Sequence, residues 1–264
     1  MSSADRMLSV LQLFSMDRTE WTVDLAAEKL GCSLSTTYRY FASLARAGLI
    51  SPIGGSRLGR YILGPAAVEM DWLIRRTDPL TRAGRQPLRT LAGSLDRPAL
   101  LLLCRLYHGQ VMCVTQEAVG FPSFATAYER GRPMPLFRGA ASKVILAHLP
   151  DRAIRAFIRD RAAELAEAGL PTHLAELKAL LAPIRRAGHC ETAGELDFGL
   201  TGLAAPVFDG DGVIGSIGYA FASETLNPDA VARFAQHARA AAAHVSSTLV
   251  DEATESQAAD APAR

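Results

Sequence analysis

The sequence predicts an α+β protein in unequal parts: a small helical domain closed by a β-hairpin, a connecting helix, and a larger α/β domain. Three observations carry this. Apolar residues recur at helical spacing through roughly the first fifty positions, followed by two short β-type runs around Gly54-Gly55-Ser56. Beyond about residue 100, strand-like runs alternate with long helical patterns. The 264 residues, 49% of them apolar, supply more than one small core requires. The expected boundaries are 1–64, 65–79 and 80–250, with a polar, Ala-rich tail over 251–264 that reads as disordered.

In the first domain, Met7, Val10, Leu11 and Phe14 share one face of a first helix. Val23, Ala26, Ala27 and Leu30 repeat that spacing in a second, with Thr22 as N-cap and Gly31 as its left-handed stop. A third helix is expected from Ser35 to Ala47, with Tyr38, Phe41, Leu44 and Ala45 inward and Thr36, Arg39, Tyr40 and Ser43 outward; Gly48 ends it. Leu49 to Ile53 and Arg60 to Leu63 then pair as a hairpin. Two helices joined by a glycine turn and followed by a hairpin form a winged helix-turn-helix pattern.

The charge pattern agrees. From Lys29 to Val68 the chain holds Lys29, Arg39, Arg46, Arg57 and Arg60 and no acid, within a protein of formal net charge +1. A one-signed stretch in a neutral chain suits a polyanion. In such units the start of the second helix of the motif enters the major groove. Ser35, Thr36 and Thr37 there can approach phosphates or base edges, with Tyr40 and Ser43 further along the same helix, and Arg39 can pair with guanine or phosphate. Arg57 and Arg60 on the wing suit backbone or minor groove. The expected partner is double-stranded DNA.

Pro65 to about Thr77 reads as a linker helix, with Val68, Trp72 and Leu73 on one side, equally suited to a dimer contact or to packing on the first domain. Leu100–Leu106 and Val111–Ala118 read as strands joined at His108-Gly109, and Ser123–Tyr128 as a third. A loop from Gly131 to Gly139 leads into a helix Ala140–Leu149, and helices follow over about Asp151–Ala168 and Leu174–Ala187. Leu203–Phe208 and Val213–Phe221 form a hairpin across Asp209-Gly210-Asp211-Gly212. Asn227-Pro228 opens a last helix to about Val250.

At this level of detail the chain resembles the isocitrate lyase regulator (IclR) family of bacterial transcription factors. The resemblance rests on "LAAEKLGCSLSTTYRYFASLARAGLI" and "RYILGPAAVEM", then on "GRPMPLFRGAASKVILAHLP" and "IRRAGHCETAGELDFGLTGLAAPVFDGDGVIGSIGYAF". It implies a GAF-like α/β effector-binding domain after the linker helix, and homodimers or dimers of dimers on a palindromic operator. It also implies that an effector carboxylate meets the helix start at Ala140 and Ala141.

The residues support that placement. Backbone N–H groups at a helix start, aided by the helix dipole, attract carboxylates, and small residues at 139–141 let a ligand approach. Met134, Leu136 and Phe137 are expected as pocket wall, with Leu196, Leu200, Gly202, Gly218 and Ala220 contributed from later strands. Some family members carry serines where Gly218 and Ala220 stand. Their absence favours an aromatic or otherwise larger carboxylic acid over a small keto acid such as glyoxylate or pyruvate, unless the small residues only permit tight sheet packing.

No early apolar run reads as a signal peptide, no run of about 18 apolar residues reads as a membrane span, and the four scattered cysteines suit a reducing cytoplasm. Enzyme readings find little support. His189-Cys190 lacks a nucleophile elbow, and His237 and His244 lack a metal-ligand motif. Glu195, Asp197 and Asp209 form no assembled acid–base pair, and no cofactor loop is present. The chain is therefore read as a ligand-responsive DNA-binding regulator of a catabolic operon. The alternatives are a small-molecule-binding enzyme with an accessory nucleic-acid domain, and a protein-interaction module.

Overall fold

The computed structural model describes residues 2–54, 59–210 and 212–259, with side chains to residue 255. It divides into two compact units, Met1–Asp78 and Pro79–Arg264. Among the described residues no helix is long and apolar enough to cross a membrane.

In the first unit, α1 (Ser3–Ser9) opens with a reciprocal capping box between Ser2 and Asp5. A 3-10 turn, Leu11–Leu13, follows. β1 (Trp21–Thr22) leads into α2 (Val23–Leu30), whose Leu25 N–H donates to the Thr22 hydroxyl at 3.3 Å and whose end is the left-handed Gly31. α3 (Leu34–Arg46) is capped by Ser33. β2 (Ile50–Ile53) and β3 (Arg60–Leu63) form the wing, and α4 (Ala66–Thr77) closes the unit. The sheet order is β1-β3-β2. β1 escapes sequence reading because a two-residue strand has no periodicity.

Val10, Trp21, Val23, Ala26, Tyr40, Phe41, Leu44 and Ile50 make this core, and Phe41 meets Tyr61 edge-on at 5.0 Å between centroids. Where β3 leaves for α4, a side chain on Gly64 would lie 2.1 Å from the Gly48 carbonyl oxygen, so only glycine fits.

In the second unit, α5 (Pro79–Gly93) precedes β4 (Ala99–Tyr107) and β5 (Gln110–Val119). The turn between these strands has His108 and Gly109 both at positive φ, 46° and 72°, as a two-residue hairpin requires. Then come β6 (Pro133–Pro135), α6 (Ala140–His148), α7 (Asp151–Glu167), α8 (Leu174–Ala187), β7 (Cys190–Ala193), β8 (Leu200–Asp209), β9 (Gly212–Ala222) and α9 (Pro228–Ala259). The antiparallel sheet runs β6-β5-β4-β9-β8-β7.

Both faces of this sheet are covered. Leu100, Leu102 and Cys104 join the core beneath α6, while Ala99, Leu101 and Leu103 join a second core with Phe234 and Val245 of α9. A strand buried on both sides reads as an unbroken apolar run, as Ala99–Cys104 does.

Several expectations change. Ser123–Tyr128 forms no strand: the Asp197 carboxylate takes the Ala127 N–H at 2.9 Å and the Thr126 hydroxyl at 3.1 Å, and the edge is β6 instead. α5 was unanticipated, since Pro87 interrupts its pattern. The four-residue β7 was too short to announce itself. α9 runs past Val250 to Ala259, so residues 251–259 of the tail expected to be disordered are helical; 260–264 lie outside the described residues.

Candidate functional sites

The outward face of α3 carries Ser35, Tyr38, Arg39, Ala42, Ser43 and Arg46, with Thr36 half-buried. Arg39 and Arg46 make no hydrogen bond or ion pair among the described residues. Two expected DNA contacts are corrected. Thr37 is fully buried, its hydroxyl donating to the Ser33 carbonyl at 3.1 Å. Tyr40 is buried, its hydroxyl 3.2 Å from that of Ser3, whereas Tyr38 is 58% exposed. The inward face is Thr37, Tyr40, Phe41 and Leu44, spaced i, i+3, i+4, i+7. A polar threonine at its head hid the register, although a locally satisfied hydroxyl can be buried at little cost.

On the wing, Arg60 pairs with Glu20 at 2.8 Å. β1 lies beside β3, with Thr22 opposite Arg60. The acid-free stretch of sequence is therefore not acid-free in space. Arg57, also expected to contact DNA, lies outside the described residues.

In the second unit, Ala140, Ala141, Leu196, Leu200, Gly202, Gly218 and Ala220 all line one cavity. Met134, Leu136 and Phe137 do not: they point into the core beneath α6, where Phe137 packs near Phe157. The loop turns its apolar side chains away because Gly139, at φ 78°, redirects the chain into α6. A side chain there would strike Leu196 at 2.4 Å and the Tyr128 hydroxyl at 2.8 Å.

The cavity also meets residues not predicted for it, among them Thr126, Tyr128, Thr192, Glu195 and Asp197. Tyr128 is the organising group. Its hydroxyl donates to the Arg138 carbonyl at 3.0 Å and accepts the Ser142 N–H at 3.1 Å, with the Ser142 hydroxyl at 2.8 Å. Burial holds its pKa well above the ordinary tyrosine range, so it stays protonated. A tyrosine in an irregular segment gave no signal of this role.

α6 has no side-chain cap. The Gly139 N–H donates to Glu195 Oε2 at 3.1 Å and the Lys143 N–H returns to Gly139. The N–H groups of Ala140 and Ala141 have no acceptor among the described residues, and both residues border the cavity. Backbone donors without a partner at a helix start are groups from which an anion can accept hydrogen bonds. The space is about 30 Å³, room for water-sized guests and far below drug-sized pockets.

Glu195 ion-pairs with Lys143, and Arg138 donates to the Glu195 carbonyl at 2.8 Å. Nearby, burial pushes the Cys190 thiol up to about 12, with Lys143 opposing. His189 sits 3.1 Å from the Ala187 carbonyl.

Residues 3–52 match the IclR helix-turn-helix domain, and residues 102–247 match the bacterial transcriptional regulator IclR C-terminal domain. No curated protein sequence matches. Among solved structures, a protein assigned to the IclR regulators from a Silicibacter species aligns with TM-score 0.75 at 21% identity, covering 94% of this chain and 96% of its own. An IclR transcriptional regulator from Alicyclobacillus acidocaldarius gives 0.73 at 23%, covering 94% and 98%. An IclR homolog from Microbacterium hydrocarbonoxydans, solved with 4-hydroxybenzoate, gives 0.69 at 18%, covering 94% and 99%. At such identities the likeness speaks for the fold.

Proposed function

The chain belongs to the IclR family of bacterial transcriptional regulators, and from that premise we propose that it controls a catabolic operon in response to a small organic acid, an aromatic acid being favoured. It carries the family's DNA-binding and effector-binding domains. The observation behind the ligand class is the pair of unanswered N–H groups on Ala140 and Ala141, opening on a cavity walled by Leu196, Leu200 and Ala220. A carboxylate satisfies the donors and an apolar body suits the wall. The 4-hydroxybenzoate bound by the Microbacterium homolog is chemistry of this kind.

On the DNA side, Ser35, Thr36, Arg39 and Ser43 remain the proposed contacts, with Tyr38 and Arg46 added from the exposed face of α3. Arg57 keeps its proposed wing role, and Arg60 must release Glu20 to take part. The exposed Val68, Met70, Trp72, Leu73 and Ile74 of α4 are the proposed dimer contact, placing two recognition helices on a palindromic operator.

Thermal shift against benzoate, 4-hydroxybenzoate, pyruvate and glyoxylate tests the ligand class. An acid at a hundred times its Kd stabilises by about 2.7 kcal/mol, which is a rise on the order of 5–10 °C for a unit this size. The same acid must shift affinity for the DNA upstream of the gene, since it acts only through its preference for one of two states. If no acid moves either quantity, the reading fails.

A further inference from the structure

We propose that Glu195 is a resident carboxylate occupying part of the anion site, and that residues 194–199 form a gate which an incoming acid opens by taking its place. This rests on the reading of Ala140 and Ala141 as the acid anchor. Glu195 already makes contacts of the kind an acid seeks: one oxygen on the Gly139 N–H at the start of α6, the other on the Lys143 ammonium.

Its position divides two spaces. Inside lies the 30 Å³ cavity; outside lies an open pocket of about 640 Å³ bordered by Phe137, Arg138, Lys143, Glu164 and Leu170. Glu195 borders both. Swinging its side chain away joins them, giving a body larger than water a path to Ala140 and Ala141. It also leaves Lys143 and Gly139 N–H exposed to the newcomer.

The segment is built to swing. Gly194 and Gly199 flank it at φ 66° and 76°, and at neither would a side chain meet anything within 4 Å. Crowding therefore does not demand glycine at these ends; the left-handed backbone does, as at a hinge. Phe198 within it is fully exposed and contributes no anchorage. Leu196 packs against the core beneath α6, and the other contacts that hold the segment down are polar: Glu195 on Gly139 and Lys143, Arg138 on the Glu195 carbonyl, and Asp197 on Thr126 and Ala127. Polar contacts of this sort can be exchanged for those of a ligand, and Leu196 is the apolar anchor that moves with them.

A structural ion pair and a gate make opposite forecasts for its two partners. If the pair is only structural, Glu195→Gln and Lys143→Gln change acid binding in the same direction or not at all. If Glu195 competes with the ligand, the first tightens binding and the second weakens it. Calorimetric titration of the full-length chain with benzoate and 4-hydroxybenzoate reads this directly, with benzamide as the uncharged control. The expected result is about tenfold tighter acid binding for Glu195→Gln and about tenfold weaker for Lys143→Gln, with no gain for benzamide. Should Glu195→Gln melt too low to titrate, Glu195→Asp, which retracts the charge by one methylene, must also bind acid more tightly than the native chain. Acid affinity unchanged or reduced on altering Glu195 overturns the gate alone, as does an equal gain for benzamide. Absence of acid binding in every variant overturns the acid-sensing reading and the gate with it.

Discussion

Replacing Gly218 by alanine separates two explanations for a small residue on the cavity floor. One holds that glycine makes room for a ligand; the other, that the strands demand it. A methyl at position 218 would lie 2.0 Å from the Leu203 carbonyl oxygen and 2.6 Å from Ala204 Cα, both backbone atoms of the neighbouring β8. Neither can rotate away, so β8 and β9 must part. Overpacking of this kind costs roughly 1–3 kcal/mol, the upper end applying where backbone has to move. Alanine returns about 0.5–1 kcal/mol through its lower chain entropy. The net loss of about 2 kcal/mol lowers the melting temperature by about 4–8 °C. Gly202 is the control: its added methyl meets Ala140 Cβ and Thr192 Oγ1, each at 3.3 Å, and the Ala140 nitrogen at 3.8 Å. Gly202→Ala should melt within about 2 °C of the native chain while filling the cavity and abolishing acid binding. Differential scanning calorimetry of both variants decides the matter. A Gly218→Ala protein that melts like the native one shows that the strand contact does not require glycine.

Other outcomes follow from the same geometry. Tyr40→Ala should destabilise the first unit by about 3–5 kcal/mol by emptying a core position, whereas Arg46→Ala should leave the melting curve unchanged and reduce the salt dependence of DNA binding by about one phosphate contact; anisotropy titrations at several salt concentrations read the second. Tyr128→Phe strands the Arg138 carbonyl and the Ser142 N–H and should cost about 1–3 kcal/mol, measurable by chemical denaturation. Burial lowers the pKa of His148, with Arg185 adding and the Val144 carbonyl opposing. The unfolded chain then takes up the proton more readily, so this contribution to stability is whole above the ordinary histidine value of 6.5 and fades as pH falls toward the lowered folded value. His148→Gln should flatten the fall in melting temperature over that window; an undiminished slope assigns the effect elsewhere.

The long periodic elements were legible in the sequence because their burial is one-sided or complete. α2, α3, β4, β5, β8, β9 and most of α9 follow directly from apolar spacing and from Gly31, the His108-Gly109 pair and Asn227-Pro228. Six of the seven cavity residues were legible for the same reason, since they sit at a helix start or on strands of known alternation; Leu196 lies instead on the loop between β7 and β8. What escaped is what only tertiary proximity creates. Glu20 neutralises Arg60 across forty positions, Tyr128 reaches Ser142, and Glu195 reaches Lys143. The inversion of Tyr38 and Tyr40 has another origin. Both rings are amphipathic, and the neighbour that decides between them, Thr37, is a polar residue expected at the groove yet buried in the structure.

Strand β9 serves two masters by simple alternation. Gly218 and Ala220 look onto the cavity, while on the opposite side the Phe221 ring stacks on Phe234 at a centroid separation of 4.9 Å and the Tyr219 ring packs tilted against it at 5.5 Å. Tightly filled interiors yield little before they rearrange. A guest that lifts or depresses Gly218 or Ala220 therefore cannot be accommodated privately: the aromatic ladder behind must re-seat as well, and α9, which carries Phe234, is the first element to feel it.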